Sequence, residues 1–193
     1  MTSTTTGIRE KPRLLLHACC GPCSTAVVER LAEGYDITLF FYNPNITDTE
    51  EYKRRIAGEI QYLRCYNRTV GPEKEVHFRE GRYDPETFRA AVRGLEAEPE
   101  GGERCSVCYR LRLEETARAA GEGGFDAFTT TLSVSPHKSH GRIRAIGQEA
   151  GEASGVRFLE DDFKKKAGYQ RSIALSKEME LYRQTYCGCE FSK

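Results

Sequence analysis

Seven of the eight cysteines fall in three tight groups: Cys19-Cys20-Gly21-Pro22-Cys23, Cys105-Ser106-Val107-Cys108 and Cys187-Gly188-Cys189. The groups stand near the start, the middle and the end of a 193-residue chain. No local packing requirement places thiols in pairs at three such distant points. A fold that gathers soft thiolates at one metal or redox centre does. Any fold for this sequence therefore has to bring three remote segments to one place.

Local patterns indicate how. Leu14, Leu15 and Leu16 form a short apolar run within residues 13–18, which reads as a buried strand. The first cysteine loop follows, broken by Gly21-Pro22. Ser24 can cap a helix to about residue 32, with Val27, Val28 and Leu31 on its apolar face. Residues 36–42 read as a second strand, closed by Asn43-Pro44-Asn45, which completes a βαβ unit. Beyond it the pattern predicts helices at 48–65, 85–93, 105–120 and 138–153, and a last helix ending near Arg183. It predicts strands at 75–78, 126–131 and 156–159, and a Pro/Gly-rich loop at 98–103. This alternation predicts an α/β, Rossmann-like domain: a mostly parallel sheet flanked by helices, with the cysteine loop at the end of the first strand. No linker divides the chain, so residues 13–193 are expected to form a single catalytic α/β domain behind a disordered leader, residues 1–12, whose start is rich in Thr and Ser.

In such folds ligands bind beyond the carboxyl ends of the strands. Many related sheets carry a glycine-rich phosphate loop after the first strand. Here that loop has one glycine and three thiols, so anion cradling gives way to thiolate ligation. No apolar run approaches the roughly 18 residues needed to span a membrane. Without an export signal, eight cysteines argue for metal or redox chemistry in a cytoplasmic protein and against a disulfide scaffold. Lysine plus arginine and aspartate plus glutamate both number 29, so a globally basic nucleic-acid binder is not indicated, although a local patch is compatible.

Cys105 and Cys108 are spaced so that both sulfurs reach one metal or cluster at a helix start. The first loop offers three more, and two from each group make a four-cysteine site. Iron–sulfur and zinc are the candidates, with a thioredoxin-like redox loop as a third reading. Adjacent Cys19-Cys20 suits a larger cluster or two centres better than a zinc knuckle, because neighbouring sulfurs splay apart. A Cys187–Cys189 disulfide would close a very short, strained ring, and strained bridges are easily reduced. That pair reads as redox-active, as extra metal ligands, or as two solvent-facing thiols. Cys65 reads as a small core residue. His17 can be a satisfied core histidine. His137 and His140 flank a helix start, where capping or surface roles compete with catalysis. Thr129-Thr130-Thr131 can contact substrate or simply reflect strand propensity. Lys138, Lys164, Lys165, Lys166, Arg171 and Arg183 could form a phosphate-contacting face, with Tyr169, Tyr182 and Tyr186 available to stack on bases.

Taken together, His17-Ala-Cys-Cys-Gly-Pro-Cys23, Tyr42-Asn-Pro-Asn-Ile46, Arg104-Cys-Ser-Val-Cys-Tyr109, Thr129-Thr-Thr-Leu-Ser-Val-Ser-Pro-His-Lys138 and Tyr182-Arg-Gln-Thr-Tyr-Cys-Gly-Cys189 resemble the epoxyqueuosine reductase family of the QueH type. The resemblance runs from about residue 13 onward. It implies removal of the epoxide oxygen of epoxyqueuosine in the tRNA anticodon loop, with that tRNA and an external electron donor as partners. It implies a [4Fe–4S] cluster and, close to it, a second mononuclear iron. Carried over residue by residue, Cys19, Cys20, Cys105 and Cys108 would hold the cluster, and Cys187 and Cys189 would be the redox-active pair. Cys23 is left without an assigned role, for which the second iron or the reaction itself is the natural use. The chemistry agrees: epoxide deoxygenation needs two electrons and a Lewis acid or proton donor for the departing oxygen, whereas a cluster supplies one electron at a time. Two other classes compete. An iron–sulfur tRNA thiolase would need a pyrophosphate loop where Cys-Cys-Gly-Pro-Cys stands. A zinc-stabilised RNA-binding module would leave the Cys-Gly-Cys tail without a purpose.

Overall fold

Strand β1 (Arg13–Ala18) is the middle of the structure because both its faces are apolar. Leu14, Leu15 and Leu16 are all fully buried. Leu14, Leu16 and Ala18 pack on one face with Val27, Val28 and Tyr62, and Leu15 packs on the other with Leu113 and Ile143. A strand covered on both sides reads as a continuous apolar run, and such strands belong to parallel sheets. The computed structural model describes residues 11–192. Its sheet adds β2 (Asp36–Phe41), β3 (His77–Glu80), β4 (Ala127–Thr130) and β5 (Arg157–Phe158) in the order β3-β2-β1-β4-β5. Every pairing is parallel.

Helices α1 (Gly21–Leu31), α2 (Thr49–Asn67) and α6 (Gly168–Glu178) cover one face. Helices α4 (Glu103–Glu122) and α5 (His140–Ser154) cover the other, and the short α3 (Pro85–Ala91) packs Phe88 against Cys108 and Cys189. Side-chain caps fix three starts: Asp48 accepts from the amides of Glu50 and Glu51 at α2, Asp84 from that of Glu86 at α3, and Ser139 from that of Arg142 at α5. Because β1 lies between β2 and β4, the chain leaves it in opposite directions. The carboxyl ends of β1 and β4 therefore flank a crevice at the switch point, where ligands bind in sheets of this kind. Among the described residues no helix is long and apolar enough to cross a membrane.

The α/β class and the parallel sheet are as the sequence predicts, while several boundaries differ. Helix α1 begins at Gly21 rather than Ser24, since the amides of Cys23 and Ser24 already bond to the Cys20 carbonyl at 3.1 and 3.4 Å. Strand β3 begins two residues later than expected, because the Val76 backbone is paired by the Asn67 side chain at 2.9 and 3.0 Å instead of by the ladder. Strand β5 is only two residues long, and Thr131 leaves β4 to open a 3-10 turn. The last helix ends at Glu178, not near Arg183: Glu180 takes φ +52° and the Leu181 amide bonds back to the Ser176 carbonyl at 2.8 Å. Of the expected leader, residues 1–10 lie outside the described residues, and Lys11 donates to the carbonyls of Ala32 and Glu73.

Candidate metal and redox site

The early start of α1 gathers the first thiols. Cys20 is the extended residue before the helix, Pro22 fits the first turn, and Cys23 comes round one turn to face the other two. The sulfurs of Cys19, Cys20 and Cys23 all lie within 4.8 Å of one another. The geometry requires Gly21: a Cβ there would stand 2.5 Å from the Gly58 carbonyl oxygen of α2. Cys20 and Cys23 turn their thiols toward Cys19, which holds Cys19 well below the ordinary thiol range. The same hydrogen bonds push Cys20 up to about 12 and Cys23 well up. From across the switch point the Thr131 hydroxyl lies 3.8 Å from the Cys19 sulfur. Three converging soft sulfurs fit an iron–sulfur centre or another thiophilic metal, and the lowered Cys19 supplies the first thiolate.

His17 does not join them. Its Nε2 lies 3.0 Å from the Tyr42 carbonyl and must donate to it, so Nδ1 accepts from the Thr130 hydroxyl at 2.9 Å. That hydroxyl oxygen in turn accepts from the Leu132 amide at 3.1 Å. Burial, with the Arg112 charge adding to it, lowers the imidazole to about 4. His17 is the satisfied core histidine, and it ties together the ends of β1, β2 and β4.

The other two cysteine groups meet each other. Cys105, Cys108, Cys187 and Cys189 line one narrow cavity of about 20 Å³, roughly the room of a single water. The sulfurs of Cys187 and Cys189 are 3.7 Å apart and share a hydrogen bond, which holds Cys187 well below the thiol range and raises Cys189. Burial pushes Cys108 up to about 11 although Arg112 opposes it, donating from Nη2 to the Cys108 sulfur at 3.2 Å. The Gly101 amide donates to the Cys105 sulfur at 3.2 Å. Arg104 secures the loop before α4, donating to the carbonyls of Leu95, Glu96 and Glu98.

A cleft of about 440 Å³ opens between the groups. Cys19 and Cys23 reach it from the loop and Cys187 from the tail, while Arg112 and Lys138 line both cleft and narrow cavity. His137, Tyr169, Arg183 and Tyr186 also line the cleft. The tail touches the loop directly, since the Gln184 amide nitrogen lies 3.0 Å from the Cys20 sulfur. His140 starts α5, away from this lining.

The expected basic face is divided. Lys138 lines the cleft and Lys164 donates to its carbonyl at 3.2 Å. Lys165 is 77% exposed, with Asp162 at 4.0 Å. Arg171 binds both carboxylate oxygens of Glu29 at 2.7 and 2.9 Å, away from the cleft lining. The sequence reading missed Arg55, Arg112 and Gln184, which touch the tail, Cys108 and Cys20. Their available signal was spacing: Arg112 stands one helical turn after Cys108, and Arg55 one turn after Glu51.

Residues 14–193 match the family described as Epoxyqueuosine reductase QueH. The chain is 43% identical over 182 residues to Epoxyqueuosine reductase QueH of Streptococcus pyogenes serotype M1, covering 94% of this chain and 71% of that protein. It is 41% identical over 185 residues to the protein of the same name from Staphylococcus epidermidis, covering 95% and 77%. Against that of Thermotoga maritima it is 36% identical over 182 residues, covering 93% and 89%. Such coverage extends through all three cysteine groups and both sides of the cleft, and the chain belongs to the epoxyqueuosine reductase QueH family.

Proposed function

We propose that this protein reduces epoxyqueuosine in the anticodon loop of tRNA to queuosine, acting in the cytoplasm with an external electron donor, and that residues 13–193 carry the reaction as one unit. The observation that carries this reading is that Cys19 and Cys23 of the loop and Cys187 of the tail pair line one cleft. Its volume, about 440 Å³, lies within the range of roughly 300–1,000 Å³ usual for small-ligand pockets. That is room for one modified base taken out of the anticodon stack.

The reaction consumes two electrons and two protons and releases the epoxide oxygen as water, leaving a carbon–carbon double bond. Oxidation of the Cys187 and Cys189 thiols to a disulfide yields two electrons and two protons, so that pair balances one turnover. The external donor then restores the dithiol. Cys187 lines the cleft, and its lowered affinity for a proton makes it the first of the two to act as thiolate. Lys138 and Arg183 supply positive charge for the anticodon phosphates. Tyr169 and Tyr186 line the cleft within reach of a base, with the Arg55 guanidinium over the Tyr186 ring at 5.5 Å. Lys164, Lys165 and Arg171, which do not line the cleft, would serve as peripheral tRNA contacts.

A [4Fe–4S] cluster would be held by Cys19 and Cys20 with Cys105 and Cys108, where it would deliver low-potential electrons beside the cleft. Cys23 then serves a second mononuclear iron or the substrate. The mutual approach of Cys19, Cys20 and Cys23 within 4.8 Å favours a second arrangement, in which the loop contributes all three thiolates to one centre. Protein reconstituted anaerobically with iron and sulfide and given epoxyqueuosine-tRNA and a reductant should convert the epoxide to queuosine by nucleoside mass spectrometry. Stoichiometric zinc in iron-replete protein, or no conversion by protein with a full cluster spectrum, overturns the proposal.

A further inference from the structure

The tail that carries Cys187 and Cys189 has no regular secondary structure between Glu180 and Cys189, yet Cys189 is buried. Helix α2 holds it there. Glu51 and Arg55 lie one turn apart on that helix, with side chains only 4% and 2% exposed. Arg55 Nε donates to Glu51 Oε1 at 2.7 Å. Its two terminal nitrogens donate to consecutive carbonyls of the tail, Nη1 to Cys187 and Nη2 to Tyr186, both at 2.9 Å. The second Glu51 oxygen accepts from the Tyr182 hydroxyl at 2.7 Å.

The other side of the tail fits as closely. Gly188 takes φ +108°, a conformation open to glycine, and a Cβ there would stand 3.1 Å from both terminal nitrogens of Arg55 and 3.0 Å from Ile46. The Thr47 amide donates to the Gly188 carbonyl at 3.3 Å. The thiol turn is thus seated between a guanidinium fork and the loop before α2. A buried ion pair is seldom retained for stability, because desolvation offsets the attraction. A planar fork that fixes two successive carbonyls gives geometry that an ammonium cannot.

We infer that Arg55, oriented by Glu51, is a positioning residue that holds the Cys187–Cys189 thiol pair in place at the cleft. The inference rests on the reading of that pair as a reactant. Releasing the turn exposes both thiols and moves Cys187 away from the cleft, leaving the cysteine loop in place.

The test uses the full-length protein with three variants. Arg55→Lys keeps the charge and loses the fork. The double variant Glu51→Met/Arg55→Met removes both charges at similar volume, so neither is left buried alone. Gly188→Ala disturbs the same seat from the tail and leaves α2 intact. For each variant that shows a cooperative thermal transition, iodoacetamide labelling of Cys187 and Cys189 in reduced protein is timed by mass spectrometry. Turnover of epoxyqueuosine-tRNA is measured alongside. Loss of charge-assisted hydrogen bonds should speed labelling about tenfold or more, with a similar fall in kcat and little change in KM. Unchanged labelling overturns the inference, as does faster labelling with unchanged kcat. If the unmodified protein fails to convert the tRNA, the reading of the site fails, and labelling alone still decides whether Arg55 seats the thiols.

Discussion

Gln184 donates from its side-chain amide to the sulfur of Cys20 at 3.0 Å, across 164 positions of sequence. It joins the tail to the cysteine loop through a single polar contact. Hydrogen bonds to cluster sulfurs favour the more negative, reduced state. Gln184→Leu should therefore shift the reduction potential of the iron–sulfur centre downward by some tens of millivolts, the scale of one charge-assisted hydrogen bond. Spectroelectrochemical titration checks this, and an unchanged potential would show that Cys20 is not a ligand of that centre.

Cys23 decides between the two ligand arrangements. With Cys19, Cys20, Cys105 and Cys108 as the cluster ligands, Cys23→Ala should keep most of the visible absorbance and lose most turnover, while Cys20→Ala and Cys108→Ala lose both. Equal loss of absorbance in Cys23→Ala and Cys20→Ala points instead to the three-thiolate loop. Iron quantitation on the same samples separates a missing second iron from a damaged cluster.

Lys138 lines the cleft, whereas Arg171 is engaged by Glu29. Lys138→Gln should weaken tRNA binding and reduce the slope of log affinity against log salt by about one. Arg171→Gln should change the slope less, since its charge is already compensated. A larger effect at Arg171 would move the tRNA path from the cleft to the α1–α6 flank.

Glu59 is fully buried on α2, and neither of its carboxyl oxygens has a well-formed hydrogen bond. Burial raises it from 4.5 to about 8, opposed in part by the nearby Ser24 hydroxyl, which is turned to the Cys20 carbonyl at 3.4 Å. Its folded-state value lies above its unfolded one. The stability contributed by the protonated carboxyl is thus complete below pH 4.5 and is lost as the pH rises through 8. Glu59→Gln, which has no proton to lose, should gain on the native protein with each pH unit in that window, by about 3 kcal/mol at pH 7. Denaturation midpoints between pH 5 and 8.5 test the sign, and parallel curves for the two proteins would refute it.

Gly21→Ala should be costly although it replaces a residue in a helix. The new Cβ meets the Gly58 carbonyl oxygen at 2.5 Å, and backbone on both sides leaves nowhere to yield. The expected loss is about 1–3 kcal/mol, the usual range for overpacking, together with reduced iron content as the start of α1 is pushed aside. Normal iron loading in a destabilised variant would separate the helix contact from the thiol geometry.

The strand–loop–helix pattern and the parallel sheet were legible because β1 is apolar on both faces and glycine, proline and asparagine punctuate its surroundings. The three cysteine groups announced a shared site for the same reason, since their spacing is local. What was not legible is how the groups partner. Cys23 meets Cys19 and Cys20 because α1 starts at Gly21, and that depends on contact with Gly58 far along the chain. Arg55 and Glu51 look like an ordinary helical ion pair in sequence, and only the seated tail makes them special. Arg171 reads as a free cation until Glu29 is placed beside it.

The switch-point loop follows the first strand, while the residues that seat over it come from the opposite end of the described chain. Its three thiols are made early, and their convergence depends on α2 packing Gly58 against Gly21. The site is therefore complete only when the tail is in place. A loop without its tail lacks the Gln184 contact to Cys20, so docking of the tail is also what shields that sulfur from stray oxidants and the wrong metal.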